Sequence, residues 1–437
     1  MKLMKMLTGM VLAGTILAST NAATVSDVWA QQRWPWNALV DIDYTLGGDT
    51  TGLDVDISVT DRMTGKTYHP VWLSEIPPTT AGKHRVTWDT YKDGISTSTD
   101  MVATVTCRRI PLARYLVIDL SGGVEATSYP VTTFSDLPVG GWADEYKTTK
   151  LVLRRIEAGT FKMGTNGVLT TISKPFYLGV FEVTQKQYQL VMGTNAPSIP
   201  QDCTGDMRPV EYCGYDLIRG ANAGDEWPRR AIVDHTSFMG RLRLKTGMNG
   251  FDLPTEAEWE YACRAGTTSL FNNGGDTEND MNVVGRYYGN RTDGRGGTGG
   301  LAIVGSYQPN VWGLYDMHGN AWEFCRDRFE KELSGGTNPV GPLSSDDKDI
   351  NLKSGRVIRG GGYTGSELPQ SGLGNEIPSA TAEMFARPGH KVCTSCFRCA
   401  SILKCYRTEA NNSSGGYRWV REFRQTAGFR LFCSIGQ

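Results

Sequence analysis

The run LPTEAEWEYACRAG (residues 253–266) carries complete helix punctuation. Thr255 is an N-cap, Glu258 answers it three residues later in a capping box, and Gly266 supplies the stop. Trp259 and Cys263 lie four apart and share a face. A shorter helix has the same signature at TQKQYQLVMG (184–193), with Thr184, Gln187 and Gly193 in those roles. Beyond Gly266 the chain runs into long Gly-, Asn- and Asp-rich stretches with no comparable periodicity. A domain built this way is mostly loop. Irregular backbone satisfies few of its own polar groups, so disulfides or bound ions are expected to staple it. The 52 glycines and 11 tryptophans fit turns pinned by aromatic anchors. Trp34, Trp36, Trp259, Trp312 and Trp322 read as such anchors rather than as a sugar platform.

The N-terminal part has a different texture. LDVDISVT (53–60) alternates strictly, with Leu53, Val55, Ile57 and Val59 on one face and Asp54, Asp56, Ser58 and Thr60 on the other. VDIDYTL (40–46), HRVTWDT (84–90) and DMVATVTC (100–107) add further strand-like runs, separated by turns such as MTGKT (63–67). Period two means half-buried strands, and short strands between turns predict a small all-β sandwich over residues 32–118. The aspartates Asp41, Asp43, Asp54 and Asp56 follow from alternation as a solvated sheet face. Residues 119–150, rich in Gly, Ser, Thr and Pro, read as a linker, and residues 151–435 as the second domain.

Lys2, Lys5 and the apolar run MLTGMVLAGTILAST read as a signal peptide over residues 1–22, with cleavage near Ala22 or Ala23. The expected localisation is periplasmic or secreted, with no membrane span after cleavage. A formal net charge of −1 leaves no signature of nucleic acid as a partner. Ten cysteines in an exported chain point to disulfides. The five histidines show no metal-ligand spacing.

Seven stretches, in order, resemble the sulfatase-modifying-factor family, known for its formylglycine-generating enzymes. They are AGTFKMG (158–164), FEVTQKQYQLVMGTN (181–195), RPVEYC (208–213), LPTEAEWEYACRAG (253–266), PNVWGLYDMHGNAWEF (309–324), RVIRGGGY (356–363) and AGFRLF (427–432). The resemblance implies an α+β, C-type-lectin-like, loop-rich fold, and as activity the oxidation of a cysteine to formylglycine in a Cys-x-Pro-x-Arg peptide of a sulfatase. It implies copper at a cysteine pair for that oxidation, and structural calcium. One calcium would fall on Asp316, the carbonyls of Gly319 and Ala321, and Glu323; carboxylates and carbonyls on a tight turn suit a hard cation. A second would fall on Asn282 and Val283, with Asp293 as a further ligand.

The catalytic pattern departs from the family's. The family core is Gly-Gly-Ser-Tyr, with one cysteine two residues past the Tyr and a second five residues later. Here the core is Gly360-Gly361-Gly362-Tyr363, the Ser slot is Gly362, and the cysteine slots are Gly365 and Gln370. FRCAS (397–401) resembles the segment that carries the family's structural cysteine, which implies a Cys263–Cys399 disulfide. Cys393 and Cys396 remain as candidate catalytic thiolates, as cysteines bonded to Cys405, Cys325 or Cys433, or as zinc or iron–sulfur ligands. Cys203 and Cys213 flank a short loop and could pair. Two functions follow: an oxidase acting on a sulfatase-type polypeptide, or a non-catalytic module that binds a partner or surface ligand with the same scaffold.

Overall fold

The period-two runs form strands. A computed structural model describes residues 22–33, 38–95, 100–110, 112–164, 167–195, 203–220, 227–228, 232–287, 290, 300–328, 335–342, 356–363 and 427–435. The first unit contains β1 (Thr24–Gln32), β2 (Leu39–Gly47), β3 (Leu53–Asp61), β4 (Thr67–Tyr68), β5 (Gly82–Asp89) and β6 (Met101–Arg109). Two antiparallel sheets, β1-β2-β5 and β4-β3-β6, face each other. Val40, Ile42 and Tyr44 from one sheet meet Val55, Ile57 and Val59 from the other around the fully buried Trp88. In β3 these are the residues that alternation set on one face, opposite the aspartates. On the outer face Asp41 pairs with Arg33 and Asp43 with Arg85.

The second unit contains β7 (Tyr115–Asp119), β8 (Val131–Phe134), β9 (Lys150–Ile156), β10 (Gly159–Met163), β11 (Val168–Ile172), β12 (Phe176–Gly179), α1 (Gln185–Met192), α2 (Tyr215–Arg219), α3 (Phe238–Thr246), β13 (Phe251–Asp252), α4 (Glu256–Arg264) and α5 (Glu278–Val284). It closes with β14 (Gly285–Arg286), β15 (His318–Gly319), β16 (Trp322–Arg328), β17 (Gly336–Thr337), β18 (Arg356–Arg359), β19 (Ala427–Gly428) and β20 (Phe432–Ser434). Its largest sheet runs β13-β20-β12-β9-β7-β8, and β16 sits between β18 and β19 in a smaller one. The result is an α+β domain of short elements and long loops behind an all-β unit.

The boundary between the units differs from the compositional reading. β7, placed by sequence in the sandwich and linker, pairs with β9 of the second unit. β8 pairs with β7, and the 3-10 turn Asp144–Lys147 buries Tyr146. Residues 119–150 are thus part of the second unit. Their Gly, Ser and Pro mark the turns, while Tyr129, Trp142 and Tyr146 supply apolar anchors that composition averages away.

Both expected helices form with both halves of their capping boxes, and Gly193 caps α1 in the left-handed region. The left-handed cap of α4 is Ala265, one residue before Gly266. Trp259 and Cys263 are both fully buried in one cluster. No helix among the described residues is long and apolar enough to cross a membrane.

The units touch through specific groups. Asn249 donates its N–H to Asp54, and its amide Nδ2 to the Val55 carbonyl (3.1 Å) and to Asp56 (3.0 Å). Arg108 donates to the Thr246 carbonyl at 2.6 Å. Asp54 and Asp56 therefore do not simply face solvent: the second unit lies against their side of the sheet.

Candidate functional site

The Gly-rich core ends β18 and lies against the turn between β15 and β16. Gly319 donates to the Gly360 carbonyl (2.7 Å), and Tyr363 donates to the Asn320 carbonyl (2.9 Å). Asn320 holds left-handed backbone at φ 63°. Its side chain accepts from Ala302 N–H (2.9 Å) and donates to Glu182 (2.7 Å), whose other oxygen accepts from Ala321 N–H (2.9 Å). This turn is built by buried polar groups, each satisfied by the next.

Gly362, which stands in the family's Ser slot, has a packing reason. A Cβ there would lie 2.9 Å from Cδ1 and 3.1 Å from Nε1 of Trp322, a core residue. The indole occupies the space a side chain at 362 would need. Tyr363 is buried, and its hydroxyl lies 2.9 Å from Cys203 Sγ, with Leu301 and Ala321 completing the walls. Burial raises the Tyr363 pKa, and Glu211 and Cys203 add to the effect. Tyr212, beside Glu211, has φ 60°, which is uncommon for a bulky residue. Cys213 lies in a different cluster beside Tyr188, so the two cysteines that sequence spacing suggested as a pair are apart. Cys107, Cys213, Cys263, Cys325 and Cys433 make no disulfide with one another among the described residues. Nothing in the local sequence marks Cys203 as a neighbour of Tyr363; the contact spans 160 residues.

Of the residues expected at the first calcium, the two acidic ones, Asp316 and Glu323, share one buried charge cluster. Asp316 is buried; its Oδ2 accepts from Gly305 N–H at 2.6 Å, and its Oδ1 has no hydrogen-bond partner among the described residues. Glu323 is committed elsewhere: Arg430 holds both its oxygens (2.7–3.1 Å) and Trp259 Nε1 donates to it at 2.7 Å. Glu182, Asp316 and Glu323 thus share the single guanidinium of Arg430. Burial pushes Asp316 up to about 6. Burial, then the charges of Asp316 and Glu323, raise Glu182 well above the usual carboxylate range. Burial opposes the Arg430 charge, but Glu323 outweighs it and holds the guanidinium above its ordinary value. The cluster carries an excess of negative charge and one orphaned carboxylate oxygen, which suits a divalent cation. Among the described residues no group of three or more His, Cys, Asp and Glu side chains is placed to hold a metal.

For the second calcium, Asn282 Oδ1 accepts from the Tyr287 hydroxyl (3.1 Å) and the Val283 carbonyl from Gln308 N–H (3.0 Å). Both groups serve the protein's own hydrogen bonds, and Asp293 lies outside the described residues. Cys263 donates to the Met317 carbonyl at 3.6 Å and lies 3.8 Å from His318 Nε2. Burial lowers His318 to about 3 and raises the Cys263 thiol, so both are neutral. Cys393, Cys396, Cys399 and Cys405 lie outside the described residues. The described residues bring one thiol, Cys203, to the Gly-rich core; a copper site of two soft thiolates does not fit them.

Residues 143–403 match the family described as the sulfatase-modifying factor enzyme 1-like domain. The chain is 34% identical over 200 residues to the chaperone protein LppX of Paenibacillus barcinonensis, covering 39% of this chain and 69% of that protein. It is 37% identical over 261 residues to the formylglycine-generating enzyme of Bos taurus, covering 49% of this chain and 66% of that enzyme. Among solved structures, Treponema denticola variable protein 1 aligns with a TM-score of 0.40 at 25% identity, over 65% of this chain and 95% of that one.

Proposed function

Since the chain belongs to the sulfatase-modifying factor family, we propose that it is an exported member that binds a sulfatase-type polypeptide without oxidising it. One observation carries this reading: the Ser slot of the family core is Gly362, and Trp322 packs into the space that slot leaves. With Gly365 and Gln370 at the two cysteine slots, the core has lost its hydroxyl and both thiols together. The rest of the turn is kept, with Asn320 and Glu182 holding its shape. A scaffold kept while reactive groups are lost suits recognition better than chemistry.

Calcium belongs to this proposal as a structural ion. Asp316 Oδ1 with the Gly319 and Ala321 carbonyls would hold it, and Glu323 would be shared with Arg430. The oxidase reading draws on Cys203, which puts a thiol beside Tyr363 where the family pattern lacks one; Cys393 and Cys396 are the other thiols it would use.

The test uses the full-length exported protein, loaded with Cu(I) and supplied with oxygen, and a Cys-x-Pro-x-Arg peptide. Mass spectrometry is expected to show the peptide thiol unchanged, while surface plasmon resonance detects saturable binding of the same peptide. Formation of the aldehyde would overturn the non-catalytic reading. Absence of any binding would overturn the recognition reading.

A further inference from the structure

We propose that β8 is a self-association edge, paired in solution with the β8 of a second copy of this chain across a two-fold axis. β8 closes one end of the six-stranded sheet β13-β20-β12-β9-β7-β8, whose other end, β13, is buried. β8 itself is open to solvent: Thr132 is exposed, and Val131, Thr133 and Phe134 are half-buried.

The ladder decides which backbone groups the edge offers. β7 and β8 pair as Tyr115 with Phe134, Leu116 with Thr133, Val117 with Thr132 and Ile118 with Val131. One step further, the Asp119 N–H donates to the Pro130 carbonyl at 2.9 Å. Opposed residues of an antiparallel pair alternate between exchanging hydrogen bonds and turning those groups outward. Pro130, Thr132 and Phe134 therefore face β7, while Val131 and Thr133 turn their N–H and C=O away from it. On that side neither residue makes a backbone hydrogen bond among the described residues.

A second copy matches that pattern. With Thr132 set opposite its own counterpart, Val131 of each copy lies across from Thr133 of the other. Each such pair exchanges both its hydrogen bonds, so every outward group of the strand is used and the joint is closed by symmetry. Charge permits the pairing. Residues 126–135 contain no Asp, Glu, Lys or Arg. The sandwich's edge strand β5, in contrast, exposes Lys83 and Arg85, the usual guard against edge-to-edge pairing. Just past β8, Leu137 is 48% exposed and Val139 fully so, which gives the joint apolar surface to bury at both of its ends. The contact is built on one short strand, smaller than the ~1,200–2,000 Å² of a stable interface, so association is expected in the micromolar range rather than as a permanent dimer.

The test is sedimentation equilibrium of the full chain from about 1 to 200 µM. The weight-average mass is expected to rise with concentration toward twice that of one chain. The opposed Thr132 residues form a non-hydrogen-bonded pair, with Cα atoms ~4.5 Å apart. Thr132→Lys and Thr132→Glu therefore each set like charges face to face and should weaken association by about tenfold or more. An equimolar mixture of the two variants should restore it, more strongly at low salt. The side chain is exposed, so each variant should keep the wild-type Tm. A one-chain mass at every concentration, association indifferent to both substitutions, or a mixture no heavier than its components would each overturn the proposal. So would a chain that stays monomeric yet captures a blocked Val-Thr-Val-Thr-Val peptide at β8, since the edge would then belong to a different extended partner.

Discussion

Replacing Gly362 by Ser would restore the family's own residue, and family pattern alone predicts a neutral change. The structure predicts a loss. The new Cβ would stand 2.9 Å and 3.1 Å from two atoms of the Trp322 indole, where carbon contacts normally settle near ~3.5–4.0 Å. Trp322 is 3% exposed and packs in the main core with Phe324 and Val210, so its ring has little room to retreat. Overpacking of this kind costs about 1–3 kcal/mol. For a unit of this size that lowers Tm by about 2–10 °C. Differential scanning calorimetry of Gly362→Ser and Gly362→Ala would measure it. Both variants should lose similar stability, because the clash arises at Cβ and not at the hydroxyl. Combining Gly362→Ser with Trp322→Phe should recover part of the loss, as expected for two residues in contact. An unchanged or raised Tm in Gly362→Ser would refute the argument and reopen the Ser slot as a catalytic position.

Three further outcomes can be measured. Arg430→Gln removes the one guanidinium shared by Glu182, Asp316 and Glu323, and should cost about 3–5 kcal/mol in urea unfolding; calcium should recover part of it if the cation sits at this turn. Asp54 is lifted to about 6, chiefly by burial, so the folded protein holds that proton more tightly than the unfolded chain. Its contribution favours folding below pH ~4, is lost as pH rises toward ~6, and amounts to about 2–3 kcal/mol at most; Asp54→Asn should flatten that slope. Asn249→Ala removes the amide bonds to Val55 and Asp56. It should cost about 1–2 kcal/mol and speed proteolysis between the units, and an unchanged cleavage rate would count against Asn249 as a clamp.

Much of the fold was legible because local signals are short-ranged. Thr184 with Gln187 and Thr255 with Glu258 act within one turn, so spacing alone locates α1 and α4. The same box, with Asp280 at its third position, opens α5 at Thr277, and Ser237 with Gly247 brackets α3; in both places a Gly- and Asn-rich background masks the signal. The candidate site was less legible. Asp316, Gly319, Ala321 and Glu323 sit in one quoted motif, but Glu182 and Arg430 reach it from distant segments. Only pairing across the sheets brings those charges together.

Short-range pattern was enough to place the inner face of β3, the two best-capped helices and the family to which the second unit belongs. Each rests on neighbours a few residues apart, or on a motif long enough to be specific. Packing between distant segments is what joins residues 119–150 to the second unit, brings Asp54 and Asp56 to Asn249, and puts Trp322 in the space beside Gly362. It also put Cys203 against Tyr363 while leaving Cys213 elsewhere. These outcomes depend on which surfaces meet when distant segments pack, and residue spacing along a chain carries no record of that.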